Sequence, residues 1–124
     1  MKYKPYYSDM LLISSMFYFI TALLDFFITG SAYTRYGELF FQMELNPTIC
    51  FLLKYGVPPI HMFIIPMVVL FLSIYFRILA NEKNAESKIK DNVIWGIGFS
   101  TSLIIMMGIT HLIGFISWFY HGAF

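Results

Sequence analysis

The stretch M-L-L-I-S-S-M-F-Y-F-I-T-A-L-L-D-F-F-I-T-G-S-A, residues 10–32, is long and apolar enough to cross a lipid bilayer. A hydrocarbon core about 30 Å thick is spanned by about 20 residues of apolar helix. Two later stretches, residues 57–80 and 93–120, also reach that length. The sequence therefore predicts an all-α integral membrane protein, in which three transmembrane helices form a single domain over residues 1–124.

Composition agrees with a bilayer environment. The chain is 59% hydrophobic and 12% charged, whereas soluble proteins are about 45–50% apolar and about 25% charged. The net charge is only +1 and the charged residues are scattered, so no basic surface is available for nucleic acid. The single cysteine, Cys50, cannot close an intrachain disulfide. We expect the lipid bilayer, and not nucleic acid, to be a partner of this chain.

Basic residues are distributed unevenly about the three predicted spans. With three crossings, the N-terminal tail and the second loop share one side and hold six of the eight Lys and Arg residues. The first loop holds Arg35 and Lys54. The positive-inside rule places the richer side in the cytoplasm. We therefore expect a multi-pass cell-membrane protein with a cytoplasmic N-terminus, a cytoplasmic hairpin over residues 81–91 and an external C-terminus.

A fourth apolar segment, residues 38–55, is too short to cross the membrane and is interrupted by Glu44, Asn46 and Pro47. Asparagine is a favoured helix N-cap and proline is favoured at the first helical position, so a short helix is predicted over residues 47–55. Because unpaired backbone is not tolerated against lipid, we expect this helix to be either interfacial, at the outer surface, or re-entrant and shielded by protein.

Glycine and proline frame the second span. Gly56 supplies a stop for the short helix, and Pro58 and Pro59 are predicted to open the span. Pro66 lies inside the span and is predicted to kink the helix a turn beyond His61, whose helix face is otherwise apolar.

Polar and small residues in the first and third spans fall on single helix faces. The first-span stripe is Ser14, Tyr18, Thr21, Asp25 and Thr29, and the third-span face is Gly96, Ser100, Met107, Thr110, His111 and Gly114. An aspartate inside a span costs about 2.5–3.5 kcal/mol on insertion scales, so it faces protein or water and has a partner. Small and hydroxyl residues let helices approach closely and bond across the contact. Both faces are therefore predicted to serve helix packing.

The polar groups also share a depth. At about 1.5 Å per residue, Asp25, His61 and His111 lie about 5–15 Å inside the outer boundary, and Glu44 lies at its rim. Two carboxylates and two imidazoles are a suitable ligand set for zinc or another borderline divalent metal, so these four residues form one hypothetical metal site. No H-E-x-x-H, C-x-x-C or i, i+4 histidine pair accompanies them.

The alternative is purely structural. Asp25 then accepts hydrogen bonds from Thr29 or from one of the two span histidines, as polar groups do between transmembrane helices. Glu44 then caps the short helix, or pairs with Arg35 or Lys54.

A short pattern runs through the first half of the chain: Asp25 and Thr29, then Glu44, Asn46 and Pro47, then Gly56. It resembles an uncharacterised family of small prokaryotic multi-span membrane proteins, which carry D-x-x-x-T in a first span, E-x-N-P after it and a glycine before the next span. The likeness covers roughly residues 17–80. The connection between Thr29 and Glu44 is long for that family, and His61 falls where a lysine is expected. The resemblance implies a fold of a few helices and no known reaction.

Three functions fit these features. Three helices barely enclose a site and expose most of their perimeter, so the first hypothesis is a small non-catalytic transmembrane subunit. It would pack against larger subunits of a membrane enzyme complex, such as a respiratory or metal-dependent oxidase or monooxygenase. The alternative is an intramembrane metal-dependent hydrolase that uses Asp25, Glu44, His61 and His111, with Glu44 as general base. A haem anchor ligated by the two span histidines is the third.

The charge count generates a topology prediction. In a Cys50→Ser background, a membrane-impermeant thiol reagent added outside intact cells should label a cysteine placed near Gly37 and miss one near Lys88. The opposite labelling pattern would contradict the assigned orientation.

Overall fold

A computed structural model describes residues 3–81 and 91–123, which form five α-helices and one turn of 3-10 helix. The elements are α1 (Tyr6–Tyr36), the 3-10 turn (Gly37–Leu39), α2 (Phe40–Met43), α3 (Pro47–Lys54), α4 (His61–Ala80) and α5 (Asp91–Tyr120). Helices α1, α4 and α5 are long and apolar enough to cross a membrane. The all-α fold with three such helices and a short additional helix is confirmed. Most of the predicted hairpin, residues 82–90, lies outside the described residues.

Helix α1 is the shared packing partner of the other two long helices. Its buried residues recur at spacings of three and four: Ser8, Leu11, Ser15, Tyr18, Ala22, Asp25, Thr29 and Ala32, flanked by Ser14, Thr21 and Ile28. This is a seven-residue repeat, the pattern of left-handed helix packing at about +20°. Small residues occupy every seventh position of it, which lets neighbouring backbones approach closely. The polar stripe predicted for the first span is buried throughout, as expected.

Helices α4 and α5 both pack along α1, and this is the main packing of the long helices among the described residues. Ser73 of α4 is buried and its hydroxyl hydrogen-bonds with that of Ser15 on α1. On the α5 side, a Cβ added to Gly108 would lie 2.6 Å from the Phe17 ring, so a larger residue there would have to displace that ring. Residue choice at these positions therefore fixes how near each helix lies to α1.

The predicted face of the third span packs against α1 only in part: His111 and Gly114 contact Asp25, and the other four residues do not pack against α1. On α5, Gly96, Ser100, Met107 and Thr110 are exposed, and the buried seam is instead Ile94, Ile97, Thr101, Ile104, Gly108 and Trp118. On α4, the face of His61 carries the exposed residues Ile65, Val68 and Leu72. A helical hydroxyl can satisfy itself on its own backbone, as Thr110 does by donating to the Met106 carbonyl at 2.9 Å. Small polar side chains therefore need no partner helix, and apolar ones can face lipid.

The start of α4 also differs from the prediction. The helix begins at His61; residues 57–59 have no regular structure and Ile60 lies in a turn. Each proline disfavours the helical conformation in the residue before it, so Pro59 keeps Pro58 out of the helix and Pro58 does the same to Val57. Pro66 lies buried within a helix that is continuous to Ala80.

Helix α3 has the predicted ends. The Asn46 side-chain oxygen accepts from the backbone N–H groups of Thr48 at 3.0 Å and Ile49 at 3.4 Å. At the other end Gly56 has φ +70°, its N–H donates to Leu53, and the next N–H, of Val57, donates to Leu52. This pair of bonds is a Schellman motif, which places glycine where a left-handed residue is required. The cap and stop are confirmed.

Loss of the cap should weaken this end of the molecule. Asn46→Ala should lower the free energy of unfolding by about 0.5–2 kcal/mol, whereas Asn46→Asp should retain most of it because a carboxylate oxygen also accepts from the first turn. Reversible unfolding in mixed detergent micelles measures both. Equal stability of the alanine variant and the wild type would contradict the capping role.

Candidate functional site

Asp25 is the centre of the polar contacts between α1 and α5. Its Oδ2 lies 2.7 Å from Nδ1 of His111, and its Oδ1 accepts from the Thr29 hydroxyl at 3.3 Å. The 2.7 Å separation is that of a short hydrogen bond, and an ionised carboxylate takes the accepting side of such a bond. The prediction that Asp25 contacts a histidine or Thr29 is confirmed for both.

Two neighbours fix the geometry of this pair. A Cβ added to Gly114 would lie 2.9 Å from Oδ1 of Asp25, so α5 reaches the carboxylate only because this residue has no side chain. The ring of Tyr18 stacks on the His111 ring, with centroids 5.7 Å apart and planes inclined by 27°. The imidazole is therefore held on its edge by the carboxylate and on its face by the phenol ring.

Glu44 joins the α2–α3 connection to α5. Its Oε1 accepts from the Asn46 backbone N–H at 2.9 Å, and its Oε2 accepts from the indole N–H of Trp118 at 3.1 Å. The first bond supports the start of α3, as the structural alternative expected. Among the residues that the structure describes, no ion pair joins Glu44 to Arg35 or Lys54.

Trp118 is a site residue that the sequence reasoning missed. Its ring stacks on Phe40 with centroids 5.2 Å apart and planes inclined by 4°, and it also stacks on Tyr36 at 6.0 Å. A buried indole N–H needs an acceptor, and tryptophan concentrates near membrane interfaces. Those two rules together could have paired Trp118 with the carboxylate of Glu44.

The C-terminal end of α5 is fastened to α1. Gly122 has φ +71° and closes a second Schellman motif, in which the Ala123 N–H donates to Trp118 at 3.1 Å. Two backbone carbonyls just beyond the end of α5 accept hydrogen bonds from α1. The Ser31 hydroxyl donates to the carbonyl of Ala123, and the Tyr36 hydroxyl donates to that of His121. These bonds hold Trp118 opposite Glu44.

A pocket of about 340 Å³ opens between these elements. We name it the Asp25–Glu44 pocket; its lining is Asp25, Glu44, Leu45, Asn46, Ile49, Thr110, His111, Ile113, Gly114 and Trp118. It brings together three of the four residues of the hypothetical metal site. His61, at the start of α4, does not line it.

The metal hypothesis gains no support from this arrangement. Across residues 3–81 and 91–123, no three or more His, Cys, Asp or Glu side chains are grouped so that they could hold a metal ion. The side-chain oxygens of Asp25 and Glu44 instead form hydrogen bonds with separate partners, His111 and Trp118. What the site does chemically is join α1, α5 and the α2–α3 connection through charged hydrogen bonds.

Cys50 lies at the edge of this region. Its thiol donates to the Glu44 carbonyl at 3.6 Å, and burial together with the nearby Glu44 charge raises the pKa of the thiol. A raised pKa lowers the thiolate fraction, which suits a packing residue rather than a nucleophile.

The contact of Gly114 with Asp25 generates a matched pair of substitutions. Gly114→Ala should destabilise the protein by about 1–3 kcal/mol, because the new methyl group overpacks the carboxylate. Gly96→Ala, at a helical glycine with open space around it, should be neutral or stabilise by up to about 1 kcal/mol. Unfolding in mixed micelles measures both. Similar behaviour of the two variants would contradict the close approach.

Comparison with known proteins adds no relative. No family model, no curated protein and no solved structure matches the chain. The resemblance to the small prokaryotic membrane-protein family therefore stays a prediction, and the function has to be argued from the geometry alone.

Proposed function

We propose that this chain is a small, non-catalytic transmembrane subunit that packs against another membrane protein. The observation that carries the proposal is an exposed face of α5, called the small-residue face, which presents the small residues Gly96, Ser100 and Thr110 with Leu103 and Met107 between them. All five residues are exposed in the single chain. Small residues allow two helix backbones to approach closely in a membrane, where association depends on packing and not on hydrophobicity.

The rest of the exposed surface of α5 contains two small residues, Gly98 and Ser102, among larger ones. It presents large side chains that suit lipid, among them Trp95, Phe99, Met106, Ile109 and Ile113. Only 17% of the most apolar stretch of α5, and 17% of that of α4, is buried, against 39% for the first span. The chain therefore offers ample exposed surface, and we assign the interface to the small-residue face because it carries three exposed small residues along α5.

The polar network supports a non-catalytic role. Each carboxylate of the Asp25–Glu44 pocket already accepts two hydrogen bonds from fixed donors within the chain. Satisfied polar groups between helices contribute to association and specificity, whereas catalysis needs groups free to exchange partners. The network accounts for the span charges without a reaction. Nothing in the geometry favours an oxidase or monooxygenase over any other membrane partner, so the proposal is limited to the subunit role.

Two serines provide a matched test. Ser100 lies on the small-residue face, and Ser102 is exposed about 160° away around α5, where its hydroxyl donates to Gly98 at 3.0 Å. In native electrophoresis of mild-detergent extracts, we expect the tagged wild type to migrate in an assembly larger than one 14.5 kDa chain in its detergent belt. Ser100→Phe should reduce that assembly at least about tenfold, which corresponds to about 1.4 kcal/mol, and Ser102→Phe should leave it intact.

Migration of the wild type as a single chain would contradict the subunit proposal. Equal loss with both phenylalanine variants would contradict the assignment of the interface to the small-residue face. Loss of the assembly with Ser102→Phe alone would show that the interface lies on the opposite side of α5.

A further inference from the structure

The Asp25–Glu44 pocket has an unbalanced charge. Its titratable lining consists of two carboxylates and the imidazole of His111, and neither lysine nor arginine lines it. When the imidazole is neutral, the ionised carboxylates leave two negative charges, and when it is protonated, they leave one. The pocket is therefore electrostatically complementary to a cation in either state.

Most of the uncompensated negative charge lies on Glu44. Asp25 faces His111 across 2.7 Å, whereas both donors to Glu44, a backbone N–H and the indole N–H, are neutral. In the described ranges, no lysine, arginine or histidine forms an ion pair with Glu44. The carboxylate is half-buried, and removing a charge from water is costly unless an opposite charge approaches it. The open side of Glu44 is thus the place where a ligand cation gains most.

The walls of the pocket are apolar. Ile49 and Trp118 are buried, while Ile113 and Leu45 remain exposed, Leu45 by 90%. A small hydrated ion gains nothing from such walls, but a cation that carries an aliphatic group removes apolar surface from water as it binds. The volume of about 340 Å³ lies at the small end of the range of about 300–1,000 Å³ for ligand pockets. It suits a head group with its first carbons and not a whole lipid.

We propose that the Asp25–Glu44 pocket binds the ammonium group of an aliphatic amine. Glu44 supplies the charge partner, and the aliphatic group lies against Leu45 and Ile113. A divalent metal is the poorer occupant, because the carboxylates and imidazole are not grouped as metal ligands within the described residues. The ammonium can come from a free alkylamine or from the head group of an amine-bearing phospholipid, since both present the same chemistry to the pocket.

Trp118 supplies the readout, because it lines the pocket and donates to Glu44. The chain has two tryptophans, so Trp95→Phe leaves Trp118 as the only indole. This protein, in dodecyl maltoside micelles that contain no ammonium group, is titrated with decylammonium and separately with decanol. We expect a saturable change in Trp118 emission with decylammonium, and only a linear partitioning response with decanol. Equal responses to the two compounds would overturn the proposal without any further variant.

A matched pair of carboxylate substitutions locates the charge partner. Glu44→Gln should weaken decylammonium binding at least about tenfold, because the amide retains the shape but not the charge of the side chain. Glu38→Gln removes an exposed carboxylate outside the pocket and should leave binding unchanged. Equal affinity of the Glu44 variant and the parent protein would overturn the assignment.

Two further titrations separate the sources and the rival ligand. Phosphatidylethanolamine, added to the micelles, should produce the saturable change and reduce the apparent affinity for decylammonium if a lipid head group is an occupant; phosphatidylglycerol should do neither. A response to decylammonium but not to phosphatidylethanolamine would restrict the site to free amines. A saturable response to Zn²⁺, with none to decylammonium, would overturn the proposal in favour of a metal site. The subunit proposal is tested at Ser100, which does not line the pocket, so its outcome is distinguishable from these titrations.

Discussion

A carboxylate within a membrane-length helix needs a partner, and the contact of Asp25 with His111 meets that need. The seven-residue repeat of α1 places Asp25 on the buried side of the helix, between Ala22 and Thr29. An ion or strong dipole in a medium of low dielectric constant is stabilised only by a matching group at close range. The imidazole at 2.7 Å supplies it, and its position requires α5 to approach α1 at Gly114. This contact, together with that of Gly108 against Phe17, defines the register of α5 on α1.

Further polar contacts lie towards the C-terminal ends of α1 and α5. Trp118 lies seven residues beyond His111, on the same side of α5, and there meets Glu44. Glu44 in turn holds the start of α3, so the short helix is tied to the bundle through a carboxylate and an indole. The result is a chain whose internal charges are mostly engaged at one end, while the small-residue face of α5 and the open side of Glu44 remain for other molecules. These two features, and not a catalytic arrangement, are what the proposed functions rest on.

The sequence predicted the helices well. It predicted which helix face packs within the chain correctly for α1 and only in part for α5. Asn46, Pro47 and Gly56 specify the ends of α3 through local chemistry, which depends on neighbours in sequence and so can be predicted from it. The buried stripe of α1 was also predictable, because Asp25 must avoid lipid and its helical neighbours share that face. Ser100 and Thr110 share the predicted face with His111 but do not pack against α1, because a hydroxyl can form its hydrogen bond within its own helix and so does not indicate which neighbour the face contacts. The separation of His61 from His111 depends on which helices pack together. Residue spacing along the sequence and depth in the membrane do not reveal that pairing.

The central claim is that the Asp25–His111 contact couples α1 to α5, and a double-mutant cycle tests it most directly. The cycle compares the unfolding free energies, in mixed micelles, of wild type, Asp25→Asn, His111→Phe and the double variant. The account predicts an interaction free energy of about 0.5–3 kcal/mol for this pair. A control cycle of Asp25→Asn with Ser73→Ala should be additive within about 0.3–0.5 kcal/mol, because Ser73 contacts α1 at Ser15, about 15 Å from Asp25 along the helix. Additivity of the Asp25 and His111 substitutions would contradict the account.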